Sequence, residues 1–299
     1  MDSVETVIAL AAAHGLALTA RGATVNEAGL DYRVVMADDD EGRRWVLRVP
    51  RRRDVADGMA AELRILHLVA PVLAADGVAV PDWRVRSPEL IAYPALSGAP
   101  GLTLSDAGEP IWHLDPASAD YAARLGRLLA RLHLIGHDDA LAAGVEVRSP
   151  EEVRQGWRDD VARVSEAFAV TPSLLGAWEE WLADDDCWPD RTVMTHGEIY
   201  PAHVLLDHDG AVTGVLDWTT ARVDDPARDL SAHVGAGGED ALAVTLEAYA
   251  AAGGHVNPGL ARQARYLWEA SPIGYGLYAL TTGAERDRAA AAAVLNPSG

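Results

Sequence analysis

Met194-Thr195-His196-Gly197-Glu198-Ile199-Tyr200-Pro201-Ala202-His203-Val204-Leu205-Leu206 leads, after a short turn, to Val215-Leu216-Asp217-Trp218. This stretch decides how the chain is read. A His-Gly-acid triplet is followed, five positions after Glu198, by the polar residue His203. The apolar run from Val212 to Leu216 then closes on Asp217. An acid ending such a run is not buried without a partner, because an unpaired carboxylate in apolar surroundings is costly. A carboxylate, an imidazole and a second carboxylate are therefore strung along one short segment.

Working outward, the chain of 299 residues suits a two-lobed unit or two small domains with ample core. Hydrophobic residues make up 49% and charged residues 23%, as in an ordinary globular protein. The net charge of −20 argues against nucleic acid or an anionic membrane as partner, and fits a cationic substrate or simple solubility. All 25 basic residues are arginine, so any phosphate contact made by a basic side chain falls to a guanidinium. Cys187 is alone, which excludes an internal disulfide and a cysteine-based zinc site. The start Met1-Asp2-Ser3-Val4-Glu5 places acids where a signal peptide needs bases, and no apolar run reaches the ~18 residues of a membrane span. A cytoplasmic monomer is expected.

The apolar spacing over residues 3–15 predicts a helix. Tyr32–Ala37 and Arg44–Val49, around the acidic turn Asp38–Gly42, predict a β-hairpin, taken as the first two strands. A helix is expected over Asp54–Ala70, then strands near Pro81–Val85 and over Leu90–Tyr93. Ser97–Gly101 is the linker candidate, giving lobes of 1–98 and 99–299. Beyond it Tyr121, Leu125, Leu128, Leu129, Leu132 and Leu134 form a helical stripe. Further helices are expected at about 150–168, 173–184, 239–252, 258–271 and 284–295.

The His-Gly-acid loop with its polar residue and its Asp-Trp strand end resembles the aminoglycoside phosphotransferase-like family of small-molecule kinases. Within that family it is most similar to the macrolide phosphotransferases. His203 stands where most relatives carry Asn, and His is familiar there in the macrolide branch. The run Asp217-Trp218-Thr219-Thr220-Ala221-Arg222 continues to Asp225-Pro226-Ala227-Arg228-Asp229-Leu230 in the manner of that branch. Asn26–Asp31 and Trp45–Arg52 resemble it as well, so the likeness covers nearly the whole chain. It implies an α/β protein-kinase-like fold, with a small β-rich N-terminal lobe that binds nucleotide and a larger helical C-terminal lobe.

The resemblance also implies roles. Glu198 orients the acceptor hydroxyl, although the family pattern has Asp there. His203 and Asp217 hold Mg2+, and the nitrogen of His203 is an awkward ligand for so hard a cation. Arg48 steadies the nucleotide phosphates with Glu62 as its partner. The backbone of Ala92, Tyr93, Pro94 and Ala95 meets the base. His196 and Asp229 pin the catalytic loop. The macrolide branch implies GTP as donor, with ATP the alternative that the residues leave open.

The acceptor site is expected at Trp268, Glu269, Pro272, Ile273, Tyr275 and Tyr278, where an aromatic run broken by Pro and Gly suits a broad apolar ligand. Glu269 or Asp224 would meet the ammonium of the amino sugar. The plainer readings stay open: these residues as helix core, Arg48 as a solvated strand residue, and Arg51 to Arg53 as surface charge. The implied activity is phosphorylation of a macrolide on its amino-sugar 2'-hydroxyl. The alternatives are a kinase of an aminoglycoside or another hydroxylated molecule, or a non-catalytic nucleotide- or antibiotic-binding protein.

Overall fold

The computed structural model describes residues 3–27, 29–105 and 107–297. Met1 and Asp2 of the N-terminal acidic start, and Ala28 of the Asn26–Asp31 run, lie outside the described residues. In chain order the elements are α1 (Val4–Ala13), β1 (Leu18–Asn26), β2 (Tyr32–Asp39), β3 (Arg44–Pro50), α2 (Arg53–Ala74), β4 (Val85–Ser87), β5 (Leu90–Pro94), β6 (Ala99–Pro100), β7 (Leu102–Leu104) and β8 (Pro110–Trp112). There follow α3 (Ala119–His133), α4 (His137–Ala142), α5 (Pro150–Ala167), α6 (Pro172–Ala183), β9 (Val193–Thr195), β10 (Val204–Leu206), β11 (Val212–Val215) and β12 (Arg222–Asp224). The chain closes with α7 (Arg228–Ala251), α8 (Leu260–Glu269), α9 (Ser271–Thr282) and α10 (Glu285–Leu295).

Two compact units form. One comprises Met1–Asp115, Ala142–Val145 and Tyr200–Ala221; the other comprises Pro116–Leu141, Glu146–Ile199 and Arg222–Gly299. The parting expected at residue 98 is therefore displaced. The reason lies in the presumed linker: Ala99 and Pro100 pair with Leu206 and Leu205 of β10, and so belong to a sheet. A second consequence is that Glu198 and His203, five residues apart, fall in different units.

The first unit holds an antiparallel sheet of order β1-β2-β3-β5-β4. The β2–β3 hairpin runs in register from Tyr32 opposite Pro50 to Asp38 opposite Arg44. Its turn is held by the Asp39 carboxylate, which accepts from the N–H groups of Glu41 and Arg43 and from the Trp45 indole. Val7 and Ala11 of α1 pack on Val35, Ala37, Trp45, Leu47, Val85, Leu90 and Ala92 as one apolar core. The hairpin is not the first pair of strands. β1 precedes it, and the loop between the first two strands is 27–31. Arg51 donates to the Glu27 carboxylate and the Gly29 carbonyl, and Arg52 donates to Asp31. These two arginines tie that loop down, where the sequence suggested surface charge. A smaller sheet of order β11-β10-β6 completes the functional part of the unit.

In the second unit α3 packs closely along α7. A Cβ added at Gly126 would stand 2.3 Å from the Thr245 carbonyl oxygen, so the contact requires glycine. α5 opens with a capping box in which Ser149 and Glu152 satisfy each other's N–H groups. α7 begins at Arg228 rather than near 239, and Gly238, with φ 80° and ψ −177°, divides it into two helical pieces. The run expected to be broken by Pro and Gly spans the end of α8, with Trp268 and Glu269, and the start of the helix α9. Pro272 sits in its first turn, where a missing N–H costs nothing, and Gly276 packs on Val164. Among the described residues, no helix is long and apolar enough to cross a membrane. The architecture is the expected mixed α/β one, with a small antiparallel sheet in one unit and helices dominating the other.

Candidate active site

In the first unit β3 carries Arg48 into the interior. Its Nη1 donates to Glu62 Oε1 of α2 at 2.8 Å, with the two side chains 6% and 2% exposed. Its Nη2 lies 3.9 Å from Asp217 Oδ1, and the guanidinium carbon is 3.9 Å from the centroid of the Tyr32 ring. Burial alone would lower the Arg48 pKa, but Glu62, Tyr93, Asp217 and Tyr32 together raise it, so it remains a cation. Burial pushes the Glu62 carboxyl up, and Arg48 and the Trp218 backbone N–H oppose that rise. This is a fixed positive charge rather than a solvated strand residue. Tyr32, its cation–π neighbour, carried no signal in sequence beyond that of a strand start.

Asp217 has a φ of 60°, and it is the one non-glycine residue with a positive φ among the described residues. Asp tolerates this region better than most side chains, and such conformations cluster at functional sites. Its Oδ1 accepts from the Thr219 hydroxyl at 2.7 Å. Its Oδ2 lies 3.7 Å from His203 Nε2. The Leu216 N–H donates to the His203 carbonyl at 2.9 Å, and that backbone bond sets the two side chains next to each other. The His203 ring also meets Tyr200 edge to face, at 4.5 Å between centroids. Asp217 therefore stands between a guanidinium and an imidazole. Its oxygens suit a magnesium ion, while the nitrogen of His203 is an awkward ligand for one.

The proposed base-binding backbone is partly committed. The Ala92 carbonyl accepts from the Arg84 N–H, the Ala95 N–H donates to the Arg44 carbonyl, and Pro94 has no N–H. Ala92 and Tyr93 are buried.

In the second unit Asp229 organises the loop that carries Glu198. Its carboxylate accepts from the backbone N–H groups of His196 at 2.9 Å and Gly197 at 2.6 Å. It also accepts from His133 Nε2 at 3.0 Å, which leaves His133 Nδ1 to take the Tyr249 hydroxyl at 2.9 Å. Burial would raise the Asp229 pKa, but the His133 hydrogen bond, the electrostatic influence of His133 and His196 and the His196 N–H bring it below the usual range. The expected His196–Asp229 pin thus works through backbone, and the imidazole on Asp229 is that of His133. The His196 ring accepts from the Glu198 N–H at 3.3 Å. Glu198 itself is exposed.

A cavity of about 250 Å³ adjoins Gly197, and its polar wall is formed by Arg148, Asp160, Arg222, Asp224 and Arg228. Asp224 is almost fully buried and accepts from both Arg222 and Arg228, so it is not the ammonium partner expected from sequence. Burial raises its pKa, and the two arginines more than offset that. Ile273 is fully buried in the core. The cavity's apolar wall comes instead from Trp157, Leu267 and Leu277. Trp268 lies over Gly235 and is 47% exposed, and Tyr275 is 54% exposed; Glu269 is exposed, and Pro272 and Tyr278 are half-buried.

Comparison with known proteins agrees with the fold. The model of the phosphotransferase enzyme family matches residues 22–266. The macrolide 2'-phosphotransferase MphH of Brachybacterium faecium is 51% identical, with a TM-score of 0.89 over 99% of this chain and 98% of that one. A macrolide 2'-phosphotransferase type I is 42% identical, with a TM-score of 0.89 over 98% and 97% of the two chains. The uncharacterised protein YcbJ of Bacillus subtilis (strain 168) is 38% identical over 282 residues, 93% of this chain and 91% of the relative. With a kinase-like fold, a buried Arg–Glu pair and a family match over most of its length, the chain belongs to the phosphotransferase enzyme family.

Proposed function

We propose that this phosphotransferase moves the γ-phosphoryl group of GTP to the amino-sugar 2'-hydroxyl of a macrolide antibiotic, acting as a cytoplasmic monomer. The observation that carries the reading is the likeness, over nearly the full length of both chains, to two macrolide 2'-phosphotransferases. Glu198 orients the acceptor O–H and takes its proton late in transfer, through a carboxylate that the Asp229 hydrogen bonds hold in place by way of the loop backbone. Arg48, kept charged and immobile by Glu62, neutralises phosphate oxygens. Asp217 and His203 would hold magnesium, and the bound ion would supply charge neutralisation on the phosphates. The base meets the backbone of the segment Ala92, Tyr93, Pro94 and Ala95.

Exposed Trp268 and Tyr275 offer apolar surface to the lactone, flanked by Pro272 and Tyr278, with Glu269 for the single ammonium. An aminoglycoside would instead need clustered carboxylates and little apolar surface. The test is radiolabelled phosphate transfer to a panel of macrolides, aminoglycosides and sugars, with specificity constants compared for GTP and ATP. Transfer to macrolides with GTP preferred is expected. Transfer to aminoglycosides alone refutes the acceptor, and a clear ATP preference refutes the donor.

A further inference from the structure

The cavity beside Gly197 has a sign opposite to that of the chain around it. Three guanidiniums, of Arg148, Arg222 and Arg228, face two carboxylates, of Asp160 and Asp224, in a protein of net charge −20. The negative charge is also largely engaged. Asp224 is held by Arg222 and Arg228, and Asp160 lies 3.4 Å from Arg163 on its own helix.

The guanidiniums are not equally engaged. Arg228 gives Nη1 to Asp224 and turns Nη2 toward the Gly197 carbonyl at 3.5 Å. Arg222 gives only its Nε to Asp224, and Arg148 gives only its Nε to Glu146, a carboxylate 55% exposed. Among the described residues, the Nη atoms of Arg148 and Arg222 meet no protein acceptor. Two half-buried forks with unused donors therefore converge on one concavity. Burial and the neighbouring Arg228 both disfavour the charge on Arg222, a repulsion that an entering anion would relieve. The same cavity is also lined by the apolar residues Val153, Trp157, Leu267 and Leu277.

We propose that this cavity binds a small oxyanion ligand, a carboxylate or phosphate monoester with a compact apolar body. The oxyanion is held by the Nη atoms of Arg148 and Arg222, and the body lies against Trp157, Leu267 and Leu277. Planar guanidinium forks match both head groups bidentately. The cavity is lined by residues of the helical unit and adjoins Gly197, next to Glu198.

The test is calorimetric titration of the full chain with benzoate, phenyl phosphate and inorganic phosphate, at fixed ionic strength and without nucleotide or magnesium. One saturable site per chain is expected, tighter for phenyl phosphate than for inorganic phosphate. The tighter of benzoate and phenyl phosphate identifies the head group that the site prefers. Arg148→Met should weaken binding about tenfold, the effect of losing one charged hydrogen bond, and Arg148→Lys should recover part of it. Trp157→Ala should weaken phenyl phosphate and leave inorganic phosphate unchanged. Arg148 has its one carboxylate partner at the surface, so its variants are expected to fold, and their melting curves check this. No saturable heat in the millimolar range, or equal affinity in Arg148→Met, overturns the proposal. Neither result touches phosphoryl transfer, which is assayed separately.

Discussion

At residue 198 the side chain is one methylene longer than the family's Asp, so its carboxylate reaches farther and has one more rotor to fix. Phosphoryl transfer depends on positioning, and loss of a general base costs roughly 100-fold or more. Glu198→Gln should therefore lower kcat by about that factor while leaving GTP affinity within a few-fold, as read by steady-state kinetics and nucleotide titration. Near wild-type turnover would remove Glu198 from its role. Glu198→Asp should also be slower if the acceptor is seated for the longer side chain. Asp217→Asn should weaken magnesium dependence far more than His203→Asn, because only the former removes a hard oxygen ligand; the reverse ranking would reassign the metal. The Arg48–Glu62 pair was legible only through the family resemblance, whereas the partner needed by Asp217 followed from its place at the end of an apolar run. His133 and Tyr32 were not legible. Each acquires its meaning only when a distant segment, β12 to α7 or β3, folds against it.

Elements show the same division. The β2–β3 hairpin and α5 were readable from alternation and from a Ser-Pro-Glu-Glu start that caps its own helix. β1 was not, because it is an edge strand with most residues exposed and no apolar alternation. The start of α7 was obscured by Gly238, which interrupts the helical period with a backbone conformation open to little but glycine. That position has open space around it, so a Cβ meets strain rather than a clash. Gly238→Ala should destabilise the protein by on the order of 1–3 kcal/mol, read from urea midpoints; an unchanged midpoint would mean that the kink relaxes into regular helix. α3 contributes to the loop through His133. His133→Leu should cost about 1–3 kcal/mol by leaving Asp229 short of a donor and should speed hydrogen exchange at His196 and Gly197. Loss of stability without faster exchange there would make His133 a packing residue only.

For the molecule as a whole, acidity and burial combine at Asp225. It accepts from Gln263 and the Ala227 N–H, yet burial pushes its carboxyl up to about 7. Below about pH 4 both folded and unfolded states hold the proton, and the site is neutral in effect. As pH rises the unfolded chain ionises first, so this contribution to stability is lost progressively until pH passes about 7. At ~1.4 kcal/mol per unit the loss is on the order of 4 kcal/mol. Urea midpoints should fall from pH 5 to pH 8 in the wild type and fall less in Asp225→Asn. Equal slopes would place the pH dependence elsewhere. The altered hydrogen bond in the variant shifts both midpoints and drops out of the slope. The lysine-free composition gives Arg48 a final consequence, for chemical probing. Acyl-phosphate nucleotides and similar reagents report on phosphotransferases by acylating an amine beside the phosphates. A guanidinium that stays protonated at every working pH offers no such nucleophile. Amine-directed profiling would pass this protein by even when it is abundant and active, whereas a glyoxal, which condenses with guanidines, would report on it.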